Sequence, residues 1–170
     1  PAPGDLTTGT SYYLTTSGTD NATPSGNVEA YDSPRGSTFT YDNTAPFSTI
    51  AVPISSFYNT LGAINGASSD NVGVSTIALS IRNSSIAGPN NCYVIASNDF
   101  TAACPGWFAG QGSVGAWTYT FSAQPWAQAN QYVVMSSATD LATNVQTAMS
   151  SGTFTYDIGI PTSALTTGGF

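Results

Sequence analysis

The chain has 170 residues, 41% of them apolar and 12% aromatic, enough for one core that buries roughly two thirds of the unfolded surface. Charged residues make up 6%, and Arg35 and Arg82 are the only cations, with no lysine and no histidine. A net charge of −7 on such a chain excludes binding by phosphate neutralisation, so neither nucleic acid nor an anionic membrane surface is an expected partner.

Strands and turns alternate along the chain. Thr10 to Thr15 is a strand candidate of Thr, Ser, Tyr and Leu, followed by the turn-forming run Ser17-Gly18-Thr19-Asp20-Asn21. A second turn, Asp32-Ser33-Pro34-Arg35-Gly36, leads into Ser37-Thr38-Phe39-Thr40-Tyr41, where large and small side chains alternate with period two. After the shorter candidate Ser48 to Val52, the segment Pro53 to Leu61 breaks toward helix. Its Ile54, Phe57, Tyr58 and Leu61 fall at i, i+3, i+4 and i+7, and Gly62 is placed to stop the turn.

Alternation returns in Val72 to Ile81, and the turn Ala87-Gly88-Pro89-Asn90-Asn91 precedes a strand at Cys92 to Ala96. Trp117 to Phe121 and Gln131 to Ser136 follow as strands. Thr139 to Met149 is the second helical candidate, with Asp140 near its cap and Leu141, Val145 and Met149 on one face. Thr153 to Ile160 closes the series. Some eight strands separated by turns predict an all-β, antiparallel β-sandwich, immunoglobulin-like or jelly-roll-like, with one or two short helices, formed by residues 1–170 as a single domain.

The runs Gly36-Ser37-Thr38-Phe39-Thr40-Tyr41-Asp42 and Gly152-Thr153-Phe154-Thr155-Tyr156-Asp157 resemble each other. They are too short to mark a duplication. Two equivalent strands, each ending where an aspartate starts a turn, account for both.

Cys92 and Cys104 bracket a loop-like segment and are expected to form a disulfide, which places the chain in an oxidising, extracellular setting, secreted or at the cell surface. The opening Pro1-Ala2-Pro3-Gly4-Asp5 reads as a terminus left by removal of a leader, and no stretch reaches the roughly 18 apolar residues of a membrane span. Asn83-Ser84-Ser85 and Asn21-Ala22-Thr23 match the N-glycosylation acceptor pattern, with Pro24 weakening the second.

Catalytic chemistry is sparse. Without histidine and lysine the usual general base, Schiff-base chemistry and the serine–histidine and cysteine–histidine arrangements are absent. Paired carboxylates remain, with Glu29, Asp32, Asp42, Asp99 and Asp157 as candidates, but most occupy turn-like settings, where Asp bonds the backbone for local reasons. No enzyme is expected. Ser68-Ser69-Asp70-Asn71 lacks the alternating acids of a calcium loop, so neither metal nor cofactor is expected. Sugar binding has more to recommend it, because Trp107, Phe108, Trp117 and Trp126 occur with Gln111, Gln124, Gln128 and Asn130. Trp107, in Pro105-Gly106-Trp107-Phe108-Ala109-Gly110, is the ring placed by its glycines at a loop tip, with Phe108 beside it.

A lysine-poor, hydroxyl-rich, disulfide-bearing chain with the extended arm Asp5-Leu6-Thr7-Thr8-Gly9-Thr10-Ser11-Tyr12-Tyr13-Leu14-Thr15 and a strand-like C-terminal region resembles the β-sandwich pilins and related surface-filament proteins. The resemblance implies a structural subunit whose partner is another copy of itself, joined head to tail by donor-strand complementation. Residues 1–16 would be the donated arm, with Leu6, Tyr12, Tyr13 and Leu14 as its contacts. Residues 10–15 serve equally well as the first strand of their own domain. The competing reading is a glycan-binding module or adhesin using Trp107 and Phe108.

Overall fold

The computed structural model describes residues 4–30, 36–113 and 115–164. Contacts gather the chain into two compact units, Pro1–Thr44 and Ala45–Phe170. In the first, β1 (Thr10–Leu14) pairs antiparallel with β2 (Ser37–Tyr41) in a two-stranded sheet.

The second unit is an antiparallel β-sandwich. One sheet holds β3 (Phe47–Val52), β5 (Ala63–Ser69), β10 (Gln111–Ser113) and β11 (Ala116–Thr120) in the order β10-β11-β5-β3. The other is seven-stranded and contains β4 (Phe57–Tyr58), β6 (Val74–Asn83), β7 (Asn90–Val94), β8 (Asp99–Ala103), β9 (Phe108–Ala109), β12 (Gln131–Asp140) and β13 (Ser150–Tyr156). Its order is β4-β13-β12-β6-β7-β8, with β9 also on β6; β4 joins β13 in parallel.

Period-two alternation sets which faces meet. Directly opposed residues share a face of the sheet, and the register pairs Ile77 with Ala138, Ile81 with Val134 and Asn83 with Tyr132 across β6 and β12. All six side chains lie on the buried face, together with Leu79 and, from β13, Phe154. The opposite sheet contributes Ile64, Trp117 and Tyr119. Rings meet across the sandwich at Phe108–Tyr119, with centroids 4.8 Å apart, and at Tyr93–Tyr119, 6.3 Å apart.

A second, polar tie joins the sheets. Ser48 on β3 and Ser136 on β12 are 2.8 Å apart, and the Ser48 hydroxyl donates to Gln146 Oε1 at 2.7 Å. That same oxygen accepts the Ala138 amide, while Gln146 Nε2 donates to the Ala148 carbonyl, so this buried amide is satisfied at both ends.

The all-β expectation holds, but the two helical segments do not form: among the described residues there is no helix. In 53–61 the Tyr58 hydroxyl accepts the amides of Ile54 and Ser55, folding the segment into a turn, and Phe57 and Tyr58 then pair with Thr155 and Tyr156. In 139–149 Thr139 and Asp140 complete β12. Asp140 then takes both the backbone and the side-chain amide of Asn144, and Val145 bridges back to Thr139. A ten-residue helix is marginal unless packing supports it, and Leu141, Val145 and Met149 stay exposed. The Leu141 and Gln146 amides donate instead to the Gly73 and Ala138 carbonyls, outside the segment.

Gly66 is where the small sheet depends on a missing side chain. A Cβ there would lie 1.8 Å from the Thr49 carbonyl oxygen and 2.4 Å from the Trp117 ring. Gly66→Ala should therefore cost about 3 kcal/mol, the upper range of overpacking, because one of the obstructing atoms is backbone. Urea unfolding of the two proteins measures it; a loss below about 1 kcal/mol would contradict this contact.

Candidate functional site

The N-terminal sheet is stitched by Thr10↔Tyr41 through Leu14↔Ser37, by the Ser11–Thr40 hydroxyl pair at 2.9 Å and by stacking of Tyr12 on Phe39, with centroids 5.7 Å apart. Of the expected arm contacts, Tyr13 and Leu14 are exposed, whereas Leu6 and Tyr12 are half-buried. Gly36 lets the Tyr13 ring pass, since a Cβ would sit 1.9 Å from that ring.

Beyond β1, Asp20 organises its own turn. Its Oδ1 accepts the amides of Ala22 and Asn27 at 3.0 and 2.7 Å, and its Oδ2 accepts the Asn27 side chain at 2.8 Å. These bonds, the Asn27 side chain first, hold its carboxyl below the ordinary value. Asn21 lies on this turn, exposed. Asn83 is the reverse: it is 2% exposed, its Oδ1 accepts the Ser85 amide and its Nδ2 points to Tyr132. No glycan fits on a side chain sealed in this way, which corrects the expectation for Asn83.

The two similar runs both end where an aspartate starts a turn, as expected, but they are not equivalent strands: β2 belongs to the two-stranded sheet, whereas β13 lies between β4 and β12 in the seven-stranded one. Asp42, after β2, accepts the Thr44 amide; Asp157, after β13, accepts the Gly159 amide. Both are aspartates bonding two residues ahead, the local turn geometry. Asp99 accepts the Phe100 amide in the same local manner, Glu29 Oε2 accepts the Gly18 amide, and Asp32 lies outside the described residues.

Cys92 and Cys104 are bonded, with Cα atoms 5.2 Å apart, tying β7 to the end of β8. Such a bond persists in oxidising compartments. No helix among the described residues is long and apolar enough to cross a membrane. Gly106 lies over the disulfide, where a Cβ would be 3.3 Å from that of Cys92. The next residue, Trp107, is 39% exposed. Phe108 is half-buried: it pairs with Leu79 on β6 and packs on Tyr93 and Tyr119. Of the two expected contact rings, Trp107 is thus the more exposed. Trp117 and Trp126 are both core.

A hollow that the residue patterns did not reveal lies beside β4 and β13. Asn59, Thr60, Asp157 and Gly159 surround about 390 Å³, and an adjoining hollow of about 440 Å³, sharing Asn59 and Asp157, opens toward Phe57 and Tyr58. Phe57 is 67% exposed. Asp157 Oδ1 accepts Gln128 Nε2 at 2.7 Å and the Gly159 amide at 2.8 Å, while Gln128 Oε1 accepts the Ile158 amide. The Gln128 bond, then that from Gly159, keeps the Asp157 carboxyl below its usual range. Nothing local in the sequence joins these groups, because Gln128 and Asp157 lie far along the chain from Phe57, which sits in a segment with helical spacing.

No family model, no curated protein and no solved structure matches this chain.

Two outcomes follow. Cys92→Ala with Cys104→Ala should cost about 3 kcal/mol by loop-closure entropy, measured by denaturant unfolding against the oxidised protein. For Asp20, a folded-state pKa below 3.8 means that its contribution is complete above 3.8 and lost as pH falls through the lower folded value. An NMR titration of the Asn27 amide should show a midpoint under 3.8; a midpoint at or above it contradicts the turn.

Proposed function

We propose that this chain is a structural subunit of an extracellular filament or cell-surface layer, its protomers joined by exchange of β1. The observation that carries this reading is a sheet of only two strands, most of whose residues are exposed. Isolated two-stranded sheets are marginal in water, and open strand edges are templates for another chain. Tyr13, Leu14 and Phe39 add exposed apolar surface to those edges.

Exchange loses no contacts. If β1 of one protomer replaced β1 of the next, the same Thr10–Leu14 to Ser37–Tyr41 register would form between chains, and a head-to-tail contact of this kind propagates instead of closing. The scarcity of charge, 6% of residues, limits repulsion between stacked copies. The disulfide suits an extracellular structure exposed to oxidants, and Asn21 is an exposed position for a glycan.

Ser11 and Thr40 face each other across the two strands, which makes the reading testable. Full-length Ser11→Cys and Thr40→Cys proteins are mixed, oxidised and resolved without reductant, beside negative-stain microscopy of the unmodified protein. Covalent heterodimers together with filaments support exchange. A mixture that stays monomeric while the double variant closes within one chain, with no filaments at any concentration, overturns it.

A further inference from the structure

We infer that the hollow beside β4 and β13 is a binding site for a neutral oligosaccharide. A pyranose presents two surfaces to a protein: a patch of C–H groups on the ring face and a rim of hydroxyls that both donate and accept. A complementary site needs an exposed apolar ring next to planar polar groups held in fixed positions. This hollow supplies both within one contiguous surface.

Phe57, 67% exposed, is the apolar ring. It stands on a strand of two residues whose backbone is fixed by β13: the Thr155 amide donates to the Ser56 carbonyl and the Asp157 amide to the Tyr58 carbonyl, each at 2.8 Å. The ring is therefore presented from a paired backbone and not from a free loop, which lowers the ordering cost of binding.

The polar groups are arranged the same way. Gln128 and the Gly159 amide hold Asp157 through Oδ1, leaving Oδ2 without a hydrogen-bond partner among the described residues and directed by a fixed carboxylate plane. An ionised carboxylate with an open oxygen accepts from a sugar hydroxyl as a charge-assisted bond, stronger than a neutral one. The Asn59 side chain, exposed and with no internal partner among the described residues, adds an acceptor and two donors. Thr60 holds the Gln124 amide on its hydroxyl, at 3.3 Å.

Charge selects the ligand class. The hollow contains a carboxylate and no cation, so sulfated, phosphorylated and uronic-acid chains meet repulsion with nothing to offset it. Nucleotides are disfavoured for the same reason. A peptide binding by strand addition needs a longer edge than the two residues of β4. A neutral glycan uses the ring, the amide and the carboxylate together. The hollow is shallow and open, which suits a chain lying across it. This site does not depend on how protomers join.

The test is an array carrying neutral glucans, mannans and galactans beside sulfated and uronic-acid glycans, probed with the full chain, and then titration of the strongest neutral hit. Phe57→Ala and Asn59→Ala should each weaken binding tenfold or more with the unfolding temperature unchanged, since both side chains are exposed. Asp157→Asn should weaken binding and remove its decline below pH 3.8, the ordinary carboxylate value above the folded one. Trp107→Ala should leave binding intact. Three results overturn the assignment: no neutral glycan bound at millimolar concentration, binding restricted to acidic glycans, or binding abolished by Trp107→Ala and unmoved by Phe57→Ala and Asn59→Ala. None of these bears on filament formation, so the two readings fail separately.

Discussion

Everything in the second unit depends on burying aromatic rings between two sheets. Trp126 makes edge-to-face contacts with Phe121, Tyr132 and Phe154 at centroid distances of 4.8, 4.9 and 5.1 Å, and Tyr93 carries the network on to Phe108, Tyr119 and Phe121. Each such pair adds about 1 kcal/mol beyond the area it buries. With 6% charged residues, ion pairing has little to contribute, and burial must supply most of the driving force. The polar ends of these rings are satisfied inside: Trp126 Nε1 donates to the Leu61 carbonyl at 2.7 Å, and the Tyr132 hydroxyl accepts the Ala127 amide at 2.7 Å. Burial deep among rings, with Tyr119 alongside, also pushes the Tyr93 phenol far above its usual range, so it stays neutral at any physiological pH.

Among its described residues the first unit has no comparable core. Its two strands are held by their ladder, one ring stack and short polar contacts such as Thr8 to Asp42 at 2.9 Å. A sheet without a buried face keeps its register weakly, and that weakness makes an exchanging strand physically reasonable. The proposed assembly and the proposed glycan site thus draw on opposite properties: a sheet with little to hold it, and a hollow whose groups are held by a complete sandwich.

Aspartate has one recurring local role in both units. Asp20, Asp42, Asp70, Asp140 and Asp157 each accept backbone amides a few residues ahead. In a chain without lysine these carboxylates have few charged partners, so backbone amides take that place and the acids define turns. At Asp157 the same arrangement leaves one oxygen open beside Phe57.

The character of the sandwich is written in local signals. Period-two runs such as Val74 to Ile81 and Thr153 to Tyr156, aspartates at strand ends and the Cys92–Cys104 pair are local signals that follow directly from strand geometry, turn chemistry and cysteine spacing. The rest came from long-range pairing. β5, Ala63-Ile64-Asn65-Gly66-Ala67-Ser68-Ser69, has weak strand propensity and is a strand because β3 and β11 pair with it on both sides. The segments 53–61 and 139–149 satisfy helical spacing, yet pairing with β13 and the Asp140–Asn144 turn offered their backbones better partners. Asn83 reads as a surface acceptor until pairing with Tyr132 on β12 buries it, and Phe108 reads as a loop-tip ring until pairing with Leu79 on β6 half-buries it. Phe57 and Asn59 meet Asp157 only because β4 lies beside β13, a contact about a hundred residues apart in the chain. Spacing along a sequence reports which groups lie on the same face of one element; it carries no information about which face of another element will cover it.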